Sequence, residues 1–233
     1  MRLSLNRNQI KYIVIIAMAI DHIAWVFVPE ASAGGQIMHF IGRLTGPTMV
    51  YFVAEGYLHT SNLKRYAMRL FLFSLAAWPA YSLFEYGTWP TANFSVLTTL
   101  LLGLLAIWVY EKKEWAYSIR FAAVAGLAAL SVRSDWALYG VLIPVLLVAF
   151  RDDEKKKWIY FTAFTILYII LAIAGGGWQT AGNNIGMLLP LIILRFCYNG
   201  ESGSKAAFHK WFFYIFYPAH LLLLYILKIV LCA

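Results

Sequence analysis

The chain has 233 residues, of which 62% are hydrophobic and 13% charged, with a formal net charge of +8. Soluble domains carry about a quarter charged residues, so a water-bathed globule around one core is excluded. The basic residues fall in short clusters between apolar segments rather than along one face, which excludes a nucleic-acid surface and fits loops on the cytoplasmic side of a bilayer.

Apolar stretches of roughly 17–25 residues, long enough to cross the hydrocarbon core, recur along the sequence. Inside lipid every backbone N–H and C=O must be satisfied within the fold, which leaves helices or a closed barrel. These stretches are continuously apolar rather than alternating, so the expected fold is an all-α, polytopic transmembrane bundle. Nine helices are predicted in a single domain spanning 1–233, and the membrane is a bacterial cytoplasmic one.

The first helix is placed at 11–29. It follows Arg2, Arg7 and Lys11 as a signal peptide would, but Asp21 and His22 in its middle and the lack of a small-residue cleavage site mark it as a span. The second, 36–60, carries Gly42 and Gly46, a small-xxx-small pair suited to close helix packing. Helices at 66–86, 93–110, 115–132, 136–151 and 157–175 follow. The eighth, 184–198, is short enough that a re-entrant segment is the rival reading, and the ninth is 209–231.

Connections alternate in charge. Lys64, Arg65 and Arg69 follow the second helix, Lys112 and Lys113 the fourth, and Arg151, Lys155, Lys156 and Lys157 the sixth. Arg195, Lys205 and Lys210 surround the loop after the eighth, whereas turns 30–35, 87–92 and 176–183 contain no Lys or Arg. The positive-inside rule then puts the N-terminus in the cytoplasm and the C-terminus outside, with Arg133 the one misplaced cation. Trp89, Trp115, Trp136, Trp158, Trp178 and Trp211 near helix ends read as interfacial anchors. Pro47, Pro79, Pro144, Pro190 and Pro218 are expected to interrupt helices, each freeing a carbonyl one turn earlier. Cys197 and Cys232 offer neither a disulfide framework nor metal spacing.

A charge at mid-bilayer costs about 2.5–3.5 kcal/mol on insertion scales, so ionisable groups there need a reason. They are the Asp21–His22 pair, Arg43, Glu55 and His220. At about 1.5 Å rise per residue, His22 lies roughly 16 Å beyond Lys11, His220 roughly 15 Å beyond Lys210, and Arg43 about 10 Å below the outer surface. Glu55 lies nearer the cytoplasm. Eleven residues are close to three helical turns, so Lys11 and His22 share a face. A cation at the cytosolic mouth and an imidazole deep inside match coenzyme A, with phosphates at one end and a thioester at the other.

Each residue has two readings. His22 is a catalytic base or a packing histidine. Asp21, about 100° round the helix from it, pairs elsewhere, with Arg43 as one partner. Arg43 is a counter-ion or a substrate ligand. His220 is catalytic or satisfies the carbonyl freed by Pro218. Asp135 and Tyr139 bind an acceptor near the outer face, or Asp135 is a helix N-cap. His39, His59 and His209 are interfacial. The loop cations, Arg65 and Arg69 among them, are topology signals or hold phosphates.

Three segments, KYIVIIAMAIDHIAWVFVP, FIGRLTGPTMVYFVAEGYLHTSN and YAMRLFLFSLAAWPAY, resemble the TraX family, named for F-pilin acetylation. SVLTTLLLGLLAIW, DWALYGVL and FYIFYPAHLLLLYIL follow the same pattern and order. The resemblance covers nearly the whole chain and implies a membrane N-acetyltransferase that uses acetyl-coenzyme A, acting in the family's namesake on a pilin N-terminus. Lys11-x10-His22 also resembles the basic-x10-His element of the acyltransferase-3 family. That likeness implies that His22 is the catalytic histidine and Lys11 a coenzyme contact. Arg43 or N–H groups at a broken helix then stabilise the oxyanion. O-acetylation of an envelope glycan, a proton- or ion-coupled transporter and a scaffold are the alternatives.

Overall fold

The computed structural model describes residues 4–232, with the side chains of Thr180 and Cys232 outside the described set. Arg2 is also outside it. Among the described residues the elements are helical: α1 Arg7–Phe27, α2 Ala33–Gly42, α3 Thr45–His59, α4 Leu63–Tyr86, α5 Val96–Tyr110, α6 Tyr117–Leu130, α7 Ala137–Ala149, α8 Glu154–Gly176, α9 Trp178–Ala181, α10 Leu188–Phe196 and α11 Ala207–Cys232. Two 3-10 turns, Ser131–Arg133 and Gly182–Met187, complete them. Four helices are long and apolar enough to cross a membrane: α1, α4, α8 and α11 over Ala207–Leu231. Their outward faces are largely apolar. On α8, Ile166, Leu167, Ile170 and Leu171 are all exposed, as lipid-facing side chains are. The protein is a helical membrane protein.

Every expected segment has a helical counterpart, but two differ in form, and proline explains both. The expected 36–60 helix is two helices, with a turn at Arg43 and Leu44. Pro47 is the third residue of α3. Its ring would clash with the carbonyl four residues back, that of Arg43, so the helix restarts rather than runs through. Likewise Pro190 is the third residue of α10, and its fourth predecessor, Gly186, lies in the preceding 3-10 turn. Pro47 and Pro190 therefore start helices. Pro79, Pro144 and Pro218 do lie inside α4, α7 and α11.

The chain divides into two compact units. The first comprises Met1–Thr48 and Thr162–Ala233. Asn6 opens α1 with a capping box: its side chain accepts from the Gln9 N–H at 3.0 Å, and the Gln9 side chain accepts from the Asn6 N–H at 2.9 Å. The segment before α1 is clipped to the α10–α11 connection by Leu5 N–H to Cys197 O at 2.8 Å and Asn199 N–H to Leu5 O at 3.0 Å. From there α1 and α11 run in the same direction, with Tyr12 on His209 and His22 on His220. Two membrane helices that run the same way need an odd number of crossings between them, as the expected nine-span, N-in, C-out chain has. Gly42 admits α2 against α1: a Cβ there would fall 2.3 Å from Asp21 Cβ. Gly186 does the same for the 3-10 turn, where a Cβ would meet the Phe40 carbonyl oxygen at 2.2 Å.

The second unit, Met49–Phe161, packs α5 against α7. An added Cβ at Gly103 would lie 2.6 Å from the Gly140 carbonyl oxygen, and one at Gly140 would lie 2.4 Å from the Thr99 methyl. Small residues here let two backbones meet, the usual means of association where lipid supplies no hydrophobic drive. In the α7–α8 connection, Asp153 accepts the Lys156 N–H at 3.0 Å, and that bond holds its carboxyl below the ordinary aspartate range.

Two outcomes are expected. Alkaline phosphatase fused after residue 232 is active outside the cell, whereas fusion at 152 in the basic α7–α8 connection is inactive. Gly42→Leu, which forces a side chain into Asp21, lowers stability by about 1–3 kcal/mol in detergent melts.

Candidate functional site

The first unit gathers its ionisable side chains on α1, α2 and α11. Asp21 and His22 are consecutive on α1, so they point about 100° apart and address different neighbours. Asp21 turns to α2, where its Oδ1 lies 2.7 Å from His39 Nδ1. His22 turns to α11, where its Nδ1 lies 2.7 Å from His220 Nε2. The His22 and His220 rings stack at 4.9 Å, and Phe216 stacks on the far side of His220 at 4.8 Å.

Hydrogen-bond accounting orders the protons along this second pair. His220 Nδ1 lies 2.8 Å from the Phe216 carbonyl oxygen, which can only accept. His220 therefore carries its proton on Nδ1, and with both rings neutral its Nε2 accepts from the His22 Nδ1–H. In that tautomer Nε2 is the acceptor nitrogen of His22, the atom a general base uses. When that atom takes a proton, the second imidazole shares the charge. His220 is buried and His22 is half-buried.

His220 satisfies a carbonyl, as one expectation had it, but not the one Pro218 frees. Pro218 lacks the N–H that would bond the Tyr214 carbonyl four residues back, whereas the His220 ring bonds the Phe216 carbonyl. Lys11 and His22 both face α11, as their spacing predicts: Lys11 Nζ lies 5.2 Å from the Phe213 ring centroid. Tyr12 Oη lies 2.7 Å from His209 Nδ1 beside it. Arg43 caps the C-terminus of α2, one turn beyond His39, immediately before α3 begins at Thr45. The break thus places a cation next to the N–H groups of a helix start, where anionic oxygen is favoured.

His39 is the main correction. Expected at an interface, it is fully buried, and it is the partner of Asp21. Nothing in its local sequence distinguishes it from His59, which is exposed and lies 2.8 Å from the Glu55 carbonyl. Asn183, in a stretch expected to be a turn, is also buried, inside the 3-10 segment. An Asn pair between an apolar helix and a proline was the available signal.

The remaining candidates lie in the second unit. Arg65 and Arg69 occupy the first two turns of α4, one turn apart and so on one face, behind an Asn62 cap that accepts the Arg65 N–H at 2.8 Å. Cations beside a helix N-terminus suit phosphate. Asp135 is not the cap of α7: that position is Trp136, in the left-handed region at φ 63°. The Asp135 backbone instead accepts the Thr99 hydroxyl and donates to the Phe94 carbonyl at 3.0 Å. Tyr139 is fully buried, with its ring 5.9 Å from that of Trp136, so it belongs to the core of its unit and not to an open acceptor surface.

Helices largely apolar outside and hydrogen-bonded imidazoles within define a polytopic membrane protein that keeps proton-carrying groups inside the hydrocarbon layer. The chain belongs to the TraX protein family, whose pattern it matches over residues 6–228. It is 30% identical over 238 aligned positions to a protein of Dichelobacter nodosus named probable fimbrial assembly protein FimC, serogroup H1, with 93% of each chain covered. No solved structure matches it significantly.

The Asp21–His39 contact is nearly dry, with side-chain exposures of 13% and 0%. Removing one partner of such a pair strands the other. Asp21→Ala is expected to cost about 1–3 kcal/mol in detergent melts, and Asp21→Asn, which keeps an acceptor oxygen for Nδ1–H, much less.

Proposed function

We propose that this protein is an acetyltransferase of the bacterial cytoplasmic membrane that moves acetyl from acetyl-coenzyme A to an amine, with the N-terminus of a fimbrial subunit as acceptor. The observation that carries the reading is the His22–His220 couple. Its bonding to the Phe216 carbonyl makes Nε2 the acceptor nitrogen of His22, on a half-buried ring deep along α1.

Acyl transfer needs a base at the attacking atom, a cation or N–H groups at the developing oxyanion, and a grip on the donor. His22 supplies the first and His220 disperses the charge it acquires. Arg43 and the start of α3 supply the second. Lys11, on the His22 face of α1, supplies the third, since coenzyme A carries phosphates at the end remote from its thioester. A fimbrial acceptor is suggested by the name of the Dichelobacter nodosus relative.

Full-length protein in lipid nanodiscs, given radiolabelled acetyl-coenzyme A and peptides with free or blocked amino termini, is expected to label the free ones alone. His22→Ala is expected to lower the rate by about 10²–10⁴, the usual contribution of a general base. Labelling of a blocked peptide at Ser or Thr would redirect the reading to O-acetylation, and absence of labelling from any acceptor would end it.

A further inference from the structure

Two buried residues of the first unit have polar atoms that no protein group satisfies. His39 Nδ1 is 2.7 Å from Asp21 Oδ1, yet its Nε2, also buried, has no hydrogen-bond partner. Asn183 is 3% exposed, and neither its Nδ2 nor its Oδ1 has one. Buried polar groups are satisfied in the great majority of cases, so two such side chains in one layer point to something that binds there.

The register brings them to one place. Gln36 Nε2 donates to the Gln179 carbonyl at 2.8 Å, and a Cβ at Gly186 would lie 2.2 Å from the Phe40 carbonyl oxygen and 3.1 Å from Arg43 Cβ. Residues 179–186 therefore lie along α2 from Gln36 to Arg43. Asn183 is one 3-10 turn before Gly186, so it stands on the same face, toward α2 at the level of His39. The Trp25 ring, 45% exposed, lies 4.4 Å from that of His39.

The chemistry of the three atoms is specific. With Nδ1–H donated to Asp21, His39 Nε2 is an acceptor held as a carboxylate holds an imidazole in acyl-transfer triads. The Asn183 amide adds a donor and an acceptor, the complement of an amino group followed by a peptide carbonyl. Resting on the acetyl-transfer reading, we propose that His39 Nε2 and the Asn183 amide form the subsite for the acceptor's amino group, and that His39 takes the first of its two protons.

An α-amine has a pKa of about 8, so at pH 7 roughly nine in ten are ammonium and cannot attack. His39 Nε2 takes one proton from R–NH3+, and the freed electron pair stays on nitrogen. That nitrogen forms the C–N bond to the thioester carbon. Its second proton passes to His22 Nε2. The C–S bond then breaks and the departing thiolate takes that proton, giving free coenzyme A, while the proton on His39 is the one released to water. Two bases serve two protons, and α1 holds them through consecutive residues, Asp21 and His22.

The test compares wild type, His39→Asn and Asn183→Leu in nanodiscs. His39→Asn keeps an N–H for Asp21 and removes the base. Transfer to alanylalanine amide by His39→Asn is expected to fall about tenfold at pH 7 and to recover to the wild-type rate by pH 9, where the amine is already neutral. His22→Ala is not rescued. Asn183→Leu is expected to raise KM for the peptide and leave KM for acetyl-coenzyme A unchanged. A His39→Asn deficit that is constant with pH, or no deficit, overturns the proposal while the transferase reading stands. Thermal shifts decide the subsite independently of activity. Stabilisation of wild type by alanylalanine amide but not by its N-acetyl form, lost in both variants, supports it. Absence of that stabilisation in wild type, or its persistence in the variants, overturns it.

Discussion

Two polar side chains at consecutive positions of a membrane helix cannot face the same neighbour, and in hydrocarbon neither can be left to water. Asp21 and His22 are such a pair. The first is satisfied by His39 of α2 and the second by His220 of α11. These two contacts of 2.7 Å fix the rotation of α1 about its own axis and tie it to helices separated from it by very different lengths of chain. Gly42 follows from the same requirement, since only a residue without a side chain lets α2 come close enough for His39 to meet the carboxylate.

The broken helices belong to the same logic. Non-helical backbone within a membrane protein persists where its polar groups are sheltered by protein. The α2–α3 turn and the 3-10 turn before α10 are both placed by a proline four residues downstream, and each contributes to the polar layer beside α1. The first presents Arg43 beside the start of α3. The second carries Asn183 against α2. The chemistry proposed for the unit therefore draws on the places where regular helix is interrupted.

Much of the fold was legible in the sequence because the bilayer writes it there. Apolar length, charge alternation between loops and tryptophans at helix ends are one-dimensional consequences of a slab of fixed thickness. The shared face of Lys11 and His22 was legible for a related reason: helical periodicity is local, and α11 covers that face. The prolines were visible as well, but their effect was not. Pro47 and Pro190 read as interruptions until helix boundaries showed them in first turns, where the missing N–H costs nothing.

What the sequence determined by itself is the class of structure, three of the four ionisable residues of the two hydrogen-bonded pairs and the face on which His22 lies, because length, polarity and periodicity depend on near neighbours along the chain. What only the tertiary structure decided is partnership. His39 and His59 are equivalent in composition and position near a helix end, yet one is sealed against a carboxylate and the other exposed. Tyr139 became core, and Asn183 came to stand opposite α2. Those outcomes depend on which helix packs against which and in what register, and hydrogen bonds spanning 18 to 198 residues of sequence have no local signature.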